Sequence, residues 1–254
     1  MAEIKRIATG SATKYFSEKD IENILNELEK MYPDAGCELH FENNFQLIVA
    51  VVLSAQTTDK SVNKVTPALF AKYPDAKTMA RAGYIEAEAR GLNVSAAELS
   101  DDEIFALGTD SIAEMIHSIG MYRTKSANLL RLASVLSEKY GGEVPEDYDK
   151  LIELPGVGRK TANVVLAEGF GHQRIAVDTH VFRVANRIGL TNEKDVLTTE
   201  KALMEALPEN RWSHTHHSLI FHGRYCCSAR KPACERCGLT AYCRYFNSKN
   251  ISLD

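Results

Sequence analysis

The 254-residue chain has 44% hydrophobic and 25% charged residues, the ordinary balance of a globular protein that can bury a sizeable core. Its apolar stretches are too short to span a membrane. The N-terminus has early basic residues but no apolar segment behind them, so it does not read as a secretion signal. These features predict a cytoplasmic protein that does not bind membranes.

The net charge of −4 is unevenly distributed. Residues 85–110 contain seven acidic residues and one basic residue, so this stretch is more negative than the whole chain. We interpret its core, about residues 85–105, as an insertion or an extra surface element. Residues 211–244 contain six basic residues and one acidic residue. A local basic surface is what phosphate binding requires, although a merely solvated surface has the same composition.

The first elements in chain order read as helices. "FSEKDIENILNELEKMY" opens with Ser17, a good helix cap. The pattern places five apolar residues on one face of this helix: Ile21, Ile24, Leu25, Leu28 and Met31. "FQLIVAVVLSAQ", residues 45–56, is a continuous apolar run that periodicity alone assigns equally to a buried strand or a buried helix. Since no second strand-like run accompanies it, we predict a fully buried helix.

Two further helices are predicted in "DSIAEMIHSIGMYRTKSANLLRLASVLSEKYGG". Gly120 breaks the first of them, and Gly141 and Gly142 end the second.

"LPGVGRKTANVV", residues 154–165, places two glycines just before a lysine, as a phosphate-binding loop would. A nucleotide-binding P-loop needs glycine directly before the lysine, but Arg159 precedes Lys160 here. The pattern instead predicts two helices joined by a tight glycine turn. Backbone N–H groups at the start of the second helix would then bind nucleic-acid phosphates without reading sequence. Simple helix packing remains an alternative.

Lys160 falls in the first turn of that second helix, and Asp178 follows in "IAVDTHVFRVANR". Asp178 could serve only as the N-cap of the next helix. A lysine with a desolvated amine and a nearby carboxylate could instead act as a carbon nucleophile that forms a Schiff base.

Four cysteines with the spacing C-x6-C-x2-C-x5-C form the strongest local signal: Cys227, Cys234, Cys237 and Cys243. A cytoplasmic chain disfavours disulfides, and structural zinc sites usually have two short knuckles rather than one. The spacing favours a [4Fe–4S] cluster, with zinc as the alternative. Cys226 and Cys37 are not expected to be ligands. The loop between the first two ligands carries Arg230 and Lys231, which favours a structural cluster that displays a basic loop over an electron-transfer centre.

"SHTHHSLIFHG" contains four histidines, His214, His216, His217 and His222. On a helix they do not all share a face, and no cysteine or carboxylate pattern completes a metal site with them. Packing or phosphate contacts are therefore favoured for these histidines.

Taken together, five segments closely resemble the endonuclease III family of DNA base-excision glycosylases: "LSAQTTD", "IGMYRTKSANL", "EVPEDYDKLIELPGVGRKTANVVL", "AVDTHVFRVANRIGL" and "FHGRYCCSARKPACERC". The resemblance runs from about residue 23 to 246. The chain departs from the family at Met121, where leucine is common, at the additional thiol of Cys226, and in the acidic stretch.

The resemblance implies an all-α, two-domain helix-hairpin-helix DNA glycosylase fold. A six-helix barrel domain would span residues 37–172. Residues 1–36 and 173–254 would form a discontinuous domain that holds a [4Fe–4S] cluster on the four cysteines, with a DNA cleft between the domains.

The resemblance further implies a monomeric, bifunctional DNA N-glycosylase and AP lyase that acts on oxidised pyrimidines and abasic sites in double-stranded DNA. Lys160 would attack C1′ of the damaged nucleotide, Asp178 would assist, and β-elimination would cut the strand 3′ to the lesion. Gln56 would fill the space left by the extruded nucleotide, and Met121 would insert into the opposite strand. The other implied DNA contacts are Gly156, Val157, Gly158, Arg159, Thr161, His180, Arg230 and Lys231.

Three alternative functions differ from this one in features that can be checked. An adenine glycosylase of the same superfamily typically lacks a lysine at position 160 and has an additional C-terminal domain. A non-catalytic DNA-binding module has no need of the pair Lys160 and Asp178. An electron-transfer protein would contain a readily reducible cluster and would have no salt-sensitive affinity for DNA.

Overall fold

The structure, a computed structural model, describes residues 16–92 and 99–250, and every regular element in these two segments is a helix. The all-α prediction is confirmed. The helices are α1 (Glu18–Met31), α2 (Asn44–Leu53), α3 (Asp59–Lys72), α4 (Ala76–Ala80), α5 (Ala82–Ala89), α6 (Asp101–Ile116), α7 (Tyr122–Tyr140), α8 (Tyr148–Ile152), α9 (Arg159–Phe170), α10 (Thr179–Ile188), α11 (Val196–Ala206), α12 (Trp212–Tyr225) and α13 (Arg244–Asn250). Short 3₁₀ turns lie at Glu209–Arg211 and Cys234–Arg236. Among the helices described, none is long and apolar enough to cross a membrane.

Helix α1 begins where the sequence predicts. The Ser17 hydroxyl accepts a hydrogen bond from the Asp20 amide at 3.2 Å, and the Asp20 carboxylate accepts one from the Ser17 amide at 3.1 Å. This reciprocal pair satisfies two N–H groups that a helix start otherwise leaves unbonded. Four of the five apolar residues predicted for one face are buried, and Met31 is half-buried.

The continuous apolar run forms a helix, α2, as predicted. Asn43 caps it by accepting a hydrogen bond from the Gln46 amide at 2.9 Å. Nine of its ten residues are buried, which explains why the sequence shows no helical periodicity there. A helix that is apolar all round must lie inside a core.

The chain divides into two compact units. Residues 38–171 form one unit, in which the described residues contain six helices of at least eight residues and two five-residue helices, α4 and α8. Within it, α2 packs against α3, α7 and α9, and α7 also packs against α4 and α6. Residues 1–37 and 172–254 form the other unit, where α12 packs against α1 and α10 over an aliphatic core. That each unit is a domain in its own right stays a prediction.

The described part of the acidic stretch predicted as an insertion is largely helical. It covers the end of α5 and the start of α6, while residues 93–98 lie outside the described part of the chain. Ala87 and Ile104 are buried in the packing of these helices, and Glu86 pairs with Arg90 at 3.0 Å and with Lys72 at 3.4 Å. Two residues of the stretch thus pack in the core of the unit, while its other described residues are exposed or half-buried, and the interpretation as an insertion stays a prediction.

Helices α5 and α6 approach closely at two glycines. A Cβ atom on Gly108 would lie 2.7 Å from the backbone nitrogen of Gly83, and a Cβ atom on Gly83 would overlap the carbonyl group of Ile104. Because the obstructing atoms are backbone atoms, they cannot move aside as the end of a side chain could.

We therefore expect Gly83→Ala to lower the free energy of unfolding by about 1–3 kcal/mol, the usual cost of overpacking. Urea denaturation of the variant measures this. The matched control is Gly120→Ala in the same unit, since a Cβ atom there meets nothing within 4 Å. Equal losses in the two variants would contradict the close-approach explanation.

Candidate functional site

A tight turn joins α8 to α9 around Gly156. This residue has φ +79°, and a Cβ atom on it would lie 3.3 Å from Cβ of Asn128 and 3.4 Å from Cγ1 of Val52. Glycine is thus required both for the backbone conformation and for the close approach of the neighbouring helices. The buried Val157 follows, and its amide donates a hydrogen bond to the Leu154 carbonyl at 3.1 Å. The predicted arrangement of two helices joined by a tight glycine turn is confirmed.

Helix α9 begins at Gly158 without a side-chain cap. The first turn of any helix presents N–H groups that have no acceptor within the helix, and the helix dipole makes this end positive. Arg159 adds a positive charge next to this turn. Its contacts with Tyr148 hold the side chain in place, because Nη1 donates to the Tyr148 hydroxyl at 3.2 Å and the guanidinium lies 5.7 Å from the centre of that ring. The turn therefore suits an anion.

Lys160 and Thr161 follow in the same turn of α9. Lys160 is exposed, so the packing of the protein does not supply the desolvated amine that sequence analysis considered. Thr161 is half-buried. A substrate that covers this turn would have to displace the water around the amine.

Gln56 and Met121, the two residues predicted to enter the DNA duplex, share a rare backbone conformation. Their φ angles are +54° and +56°, and no other non-glycine residue described in the structure has a positive φ. This left-handed region costs a non-glycine residue roughly 1–2 kcal/mol. Both residues are exposed, so the strain does not serve their own burial. Strain of this kind concentrates at functional sites.

Asp178 caps α10, as one of its two sequence interpretations predicts. Its Oδ1 accepts hydrogen bonds from the amides of His180 and Val181, both at 2.8 Å. The buried segment that precedes it, Ile175, Ala176 and Val177, anchors the cap from the other side. The carboxylate is thereby held in one orientation.

Arg183 holds the ring of His180 from behind. Nη2 of Arg183 lies 3.1 Å from Nδ1 of His180 and 2.9 Å from the Gly223 carbonyl oxygen. Because a guanidinium only donates hydrogen bonds, Nδ1 of His180 is the acceptor and Nε2 carries the proton. His180 therefore has an N–H donor directed away from Arg183.

The four predicted ligands come together around one cavity: Cys227, Cys234, Cys237 and Cys243 line it with Cys226. All five are free thiols, and apolar side chains such as Ile188 and Leu239 form the remaining wall. Burial raises the pKa of the Cys237 thiol to about 12, so a metal centre would have to displace a proton there. Four thiols with an apolar wall fit an iron–sulfur cluster.

Arg187, which sequence analysis did not single out, ties this cavity to the basic loop. Its Nη1 lies 3.5 Å from Sγ of Cys227 and donates to the Ser228 carbonyl at 2.7 Å, and its Nη2 donates to the Ala229 carbonyl at 2.7 Å. The guanidinium charge favours thiolates in the cavity. The carbonyl contacts hold the loop on which Arg230 and Lys231 are exposed.

The interpretation that no cysteine joins the histidines in a site is wrong for His222. Its Nε2 lies 3.7 Å from Sγ of Cys237, and its Nδ1 lies 3.1 Å from the hydroxyl of Tyr32. A potential ligand atom of Cys226 also lies within 4.8 Å of those of His222 and Cys237. Burial lowers the pKa of His222 to about 4, so the ring is neutral. The spacing of four residues between His222 and Cys226 is the sequence signal that could have found this group.

Comparison with known proteins agrees with this arrangement. Residues 49–209 match the HhH-GPD superfamily of base excision DNA repair proteins, and residues 227–243 match the iron–sulfur binding domain of endonuclease III. The chain belongs to the endonuclease III family. The family resemblance, the glycosylase fold and the cluster predicted from the sequence are thereby confirmed, and the chain is a DNA glycosylase of base-excision repair.

Relatives in this family match over nearly their whole length. Endonuclease III of Bacillus subtilis (strain 168) is 45% identical over 227 residues, which are 89% of this chain and 92% of the relative. Endonuclease III of Escherichia coli (strain K12) is 42% identical, with coverage of 90% and 96%. The solved structure of a trapped endonuclease III–DNA covalent intermediate is similar with a TM-score of 0.77 and 43% identity, covering 92% of this chain and 99% of that one.

The endonuclease III cluster assignment makes a spectroscopic prediction. Cys234→Ser should abolish the visible iron–sulfur absorption and the bound iron, because a cluster of this type takes four thiolate ligands. Cys226→Ser, a buried and nearly isosteric change beside the same cavity, should leave both unchanged. Loss of iron in the Cys226 variant would show that the ligand set is wrong.

Proposed function

We propose that the chain is a bifunctional DNA N-glycosylase and AP lyase that removes oxidised pyrimidines from double-stranded DNA and cleaves the strand 3′ to the abasic site. The observation that carries this proposal is the position of Lys160. It stands, exposed, in the first turn of α9, directly after a glycine turn suited to an anion. A nucleophile placed there is beside whatever phosphate the turn binds.

Binding in this proposal is to the DNA backbone. The N–H groups at the start of α9 and the tethered Arg159 bind phosphate oxygens around the lesion. Arg230 and Lys231, held by the loop that Arg187 orders, make further phosphate contacts, and His180 donates from Nε2. Such contacts carry no sequence information, which suits an enzyme that must find lesions in any context.

Extrusion of the damaged nucleotide is assigned to Gln56 and Met121. A base inside the duplex is out of reach, so the nucleotide must be rotated out before chemistry. Gln56 fills the vacated space, and the flexible apolar side chain of Met121 inserts into the opposite strand. An oxidised pyrimidine that stacks poorly costs least to extrude, which favours it as the substrate.

The chemistry follows from an amine and a carboxylate. The neutral amine of Lys160 forms a bond to C1′ as the N-glycosidic bond breaks, and the base leaves with the bonding electron pair and takes up the proton that the amine loses. Asp178, held by its two amide donors, stabilises the positive charge that develops on the sugar or accepts the proton of the attacking amine. The sugar ring opens to a Schiff base, a proton leaves C2′, the C3′–O bond breaks, and water finally releases Lys160.

Two further points support the proposal. A related endonuclease III has been trapped in a covalent complex with DNA, which is the kind of bond assigned to Lys160 here. The iron–sulfur site lies beside the loop of Arg230 and Lys231 rather than beside the assigned nucleophile in the sequence, so the cluster is assigned a structural role. We propose that the protein acts as a monomer, in the cytoplasm and on the bacterial nucleoid.

Borohydride reduction tests the nucleophile. The wild-type protein should become covalently linked to a duplex that contains an abasic site, because borohydride reduces the Schiff base to a stable amine. Lys160→Gln should abolish this product on a denaturing gel.

The matched control is Lys150→Gln, an exposed lysine on α8 of the same hairpin. It should be trapped as efficiently as the wild type. A Lys160 variant that is trapped equally well would show that another amine is the nucleophile.

Asp178→Asn separates capping from catalysis. Asparagine caps helices about as well as aspartate, so the free energy of unfolding should change by no more than a few tenths of a kcal/mol. Removal of the negative charge should slow base release from a thymine glycol duplex by about a hundredfold. Single-turnover kinetics and urea denaturation of the same preparation measure both. Wild-type base release in this variant would leave Asp178 with the capping role alone.

A further inference from the structure

Lys125 is buried, with 4% of its surface exposed, and the mechanism above does not use it. Its ammonium donates hydrogen bonds to the Leu53 carbonyl at 2.9 Å and to the Thr57 hydroxyl at 2.7 Å. Both partners are uncharged. Burial lowers the pKa of Lys125, as expected for an ammonium removed from water without a carboxylate beside it.

The two partners of the Lys125 ammonium lie on either side of Gln56 in the sequence. We call residues 54–57 the Gln56 loop. Leu53 is the last residue of α2, so the ammonium contacts the negative end of that helix. Thr57 directly follows Gln56, and its hydroxyl in turn donates to the Ala55 carbonyl at 3.4 Å. The residue with φ +54° is therefore fixed on both sides.

The backbone of the same residue contacts the second strained position. The Lys125 amide donates to the Met121 carbonyl at 2.9 Å, the first hydrogen bond of α7. Met121 has φ +56° and no side chain caps the helix it begins. One residue thus contacts both segments that hold the left-handed residues Gln56 and Met121.

Stability alone does not explain a buried lysine at this place. An apolar side chain of similar length would fill the space without the cost of burying a charge. What an apolar side chain cannot supply is the pair of donors that joins the end of α2 to Thr57. The contacts of the ammonium therefore indicate a role in positioning the Gln56 loop rather than a role in packing the core.

We infer that Lys125 is a positioning residue whose ammonium holds the Gln56 loop in the arrangement needed to separate the strands and extrude the nucleotide. This inference rests on the proposed function, since it gives Gln56 its task in DNA. Lys125 does not touch the reacting atoms. Its loss should impair duplex opening more than the covalent chemistry at Lys160.

The test compares borohydride trapping rates on the same abasic oligonucleotide as a duplex and as a single strand. Loss of the buried contact to Leu53 and the part-buried contact to Thr57 should lower the duplex-to-single-strand rate ratio of Lys125→Met by about 10- to 100-fold. A merely structural lysine would lower both rates together and leave their ratio unchanged.

Lys139→Met is the matched control, because Lys139 is an exposed lysine on the same helix, and its rate ratio should equal that of the wild type. Thr57→Val, which removes one acceptor and leaves the ammonium in place, should lower the ratio in the same direction and serves if the Lys125 variant does not fold.

An unchanged ratio in the Lys125 variant, or in Thr57→Val where that variant is used, overturns the inference about Lys125. If the wild type is still trapped, the proposed function stands. Absence of trapping by the wild type overturns both.

Discussion

The burial of α2 on all sides is the constraint on which the candidate site in residues 38–171 depends. Val52 packs beneath Gly156 at the start of the hairpin turn, and a Cβ atom on Gly169, near the end of α9, would lie 2.7 Å from Oδ1 of Asn44. The carbonyl of Leu53 receives the Lys125 ammonium. One helix without an exposed face thus sets the position of the glycine turn and of the Gln56 loop together.

Local patterns could be predicted because the interactions behind them are local. The Ser17 box and the Asp178 cap join residues two or three positions apart, and the Gly156 turn needs a conformation that glycine adopts easily. The helix α2 was the harder case, since an apolar run has no period. The absence of a second strand-like segment decided it, because a lone strand has nothing with which to pair.

The contacts that sequence analysis missed are long-range. The contact of Lys125 with Leu53 joins residues that are 72 positions apart in the sequence. The contact of Arg187 with Cys227 spans 40 positions, and that of His222 with Tyr32 spans 190. In the sequence each is an ordinary polar residue of a helix. The strain at Gln56 and Met121 also had no signal, because neither residue type favours a positive φ. Charge counting likewise overlooked the buried apolar residues within the acidic stretch, since it registers only the exposed faces of α5 and α6.

The helix starts of α9 and α10 handle negative charge in opposite ways. In most helices of the described chain, a side-chain oxygen of the N-cap residue accepts a hydrogen bond from the first turn, as Asp178 does in α10. That carboxylate occupies the positive end of α10, so this helix start has an anion of its own. Gly158 places no side chain at the start of α9, so the N-cap supplies no anion to that positive end. An aspartate at 158 would cap α9 better and repel the substrate. The proposed phosphate site thus lies at a helix start without a side-chain cap, while the carboxylate proposed for catalysis is held in place by its own capping hydrogen bonds.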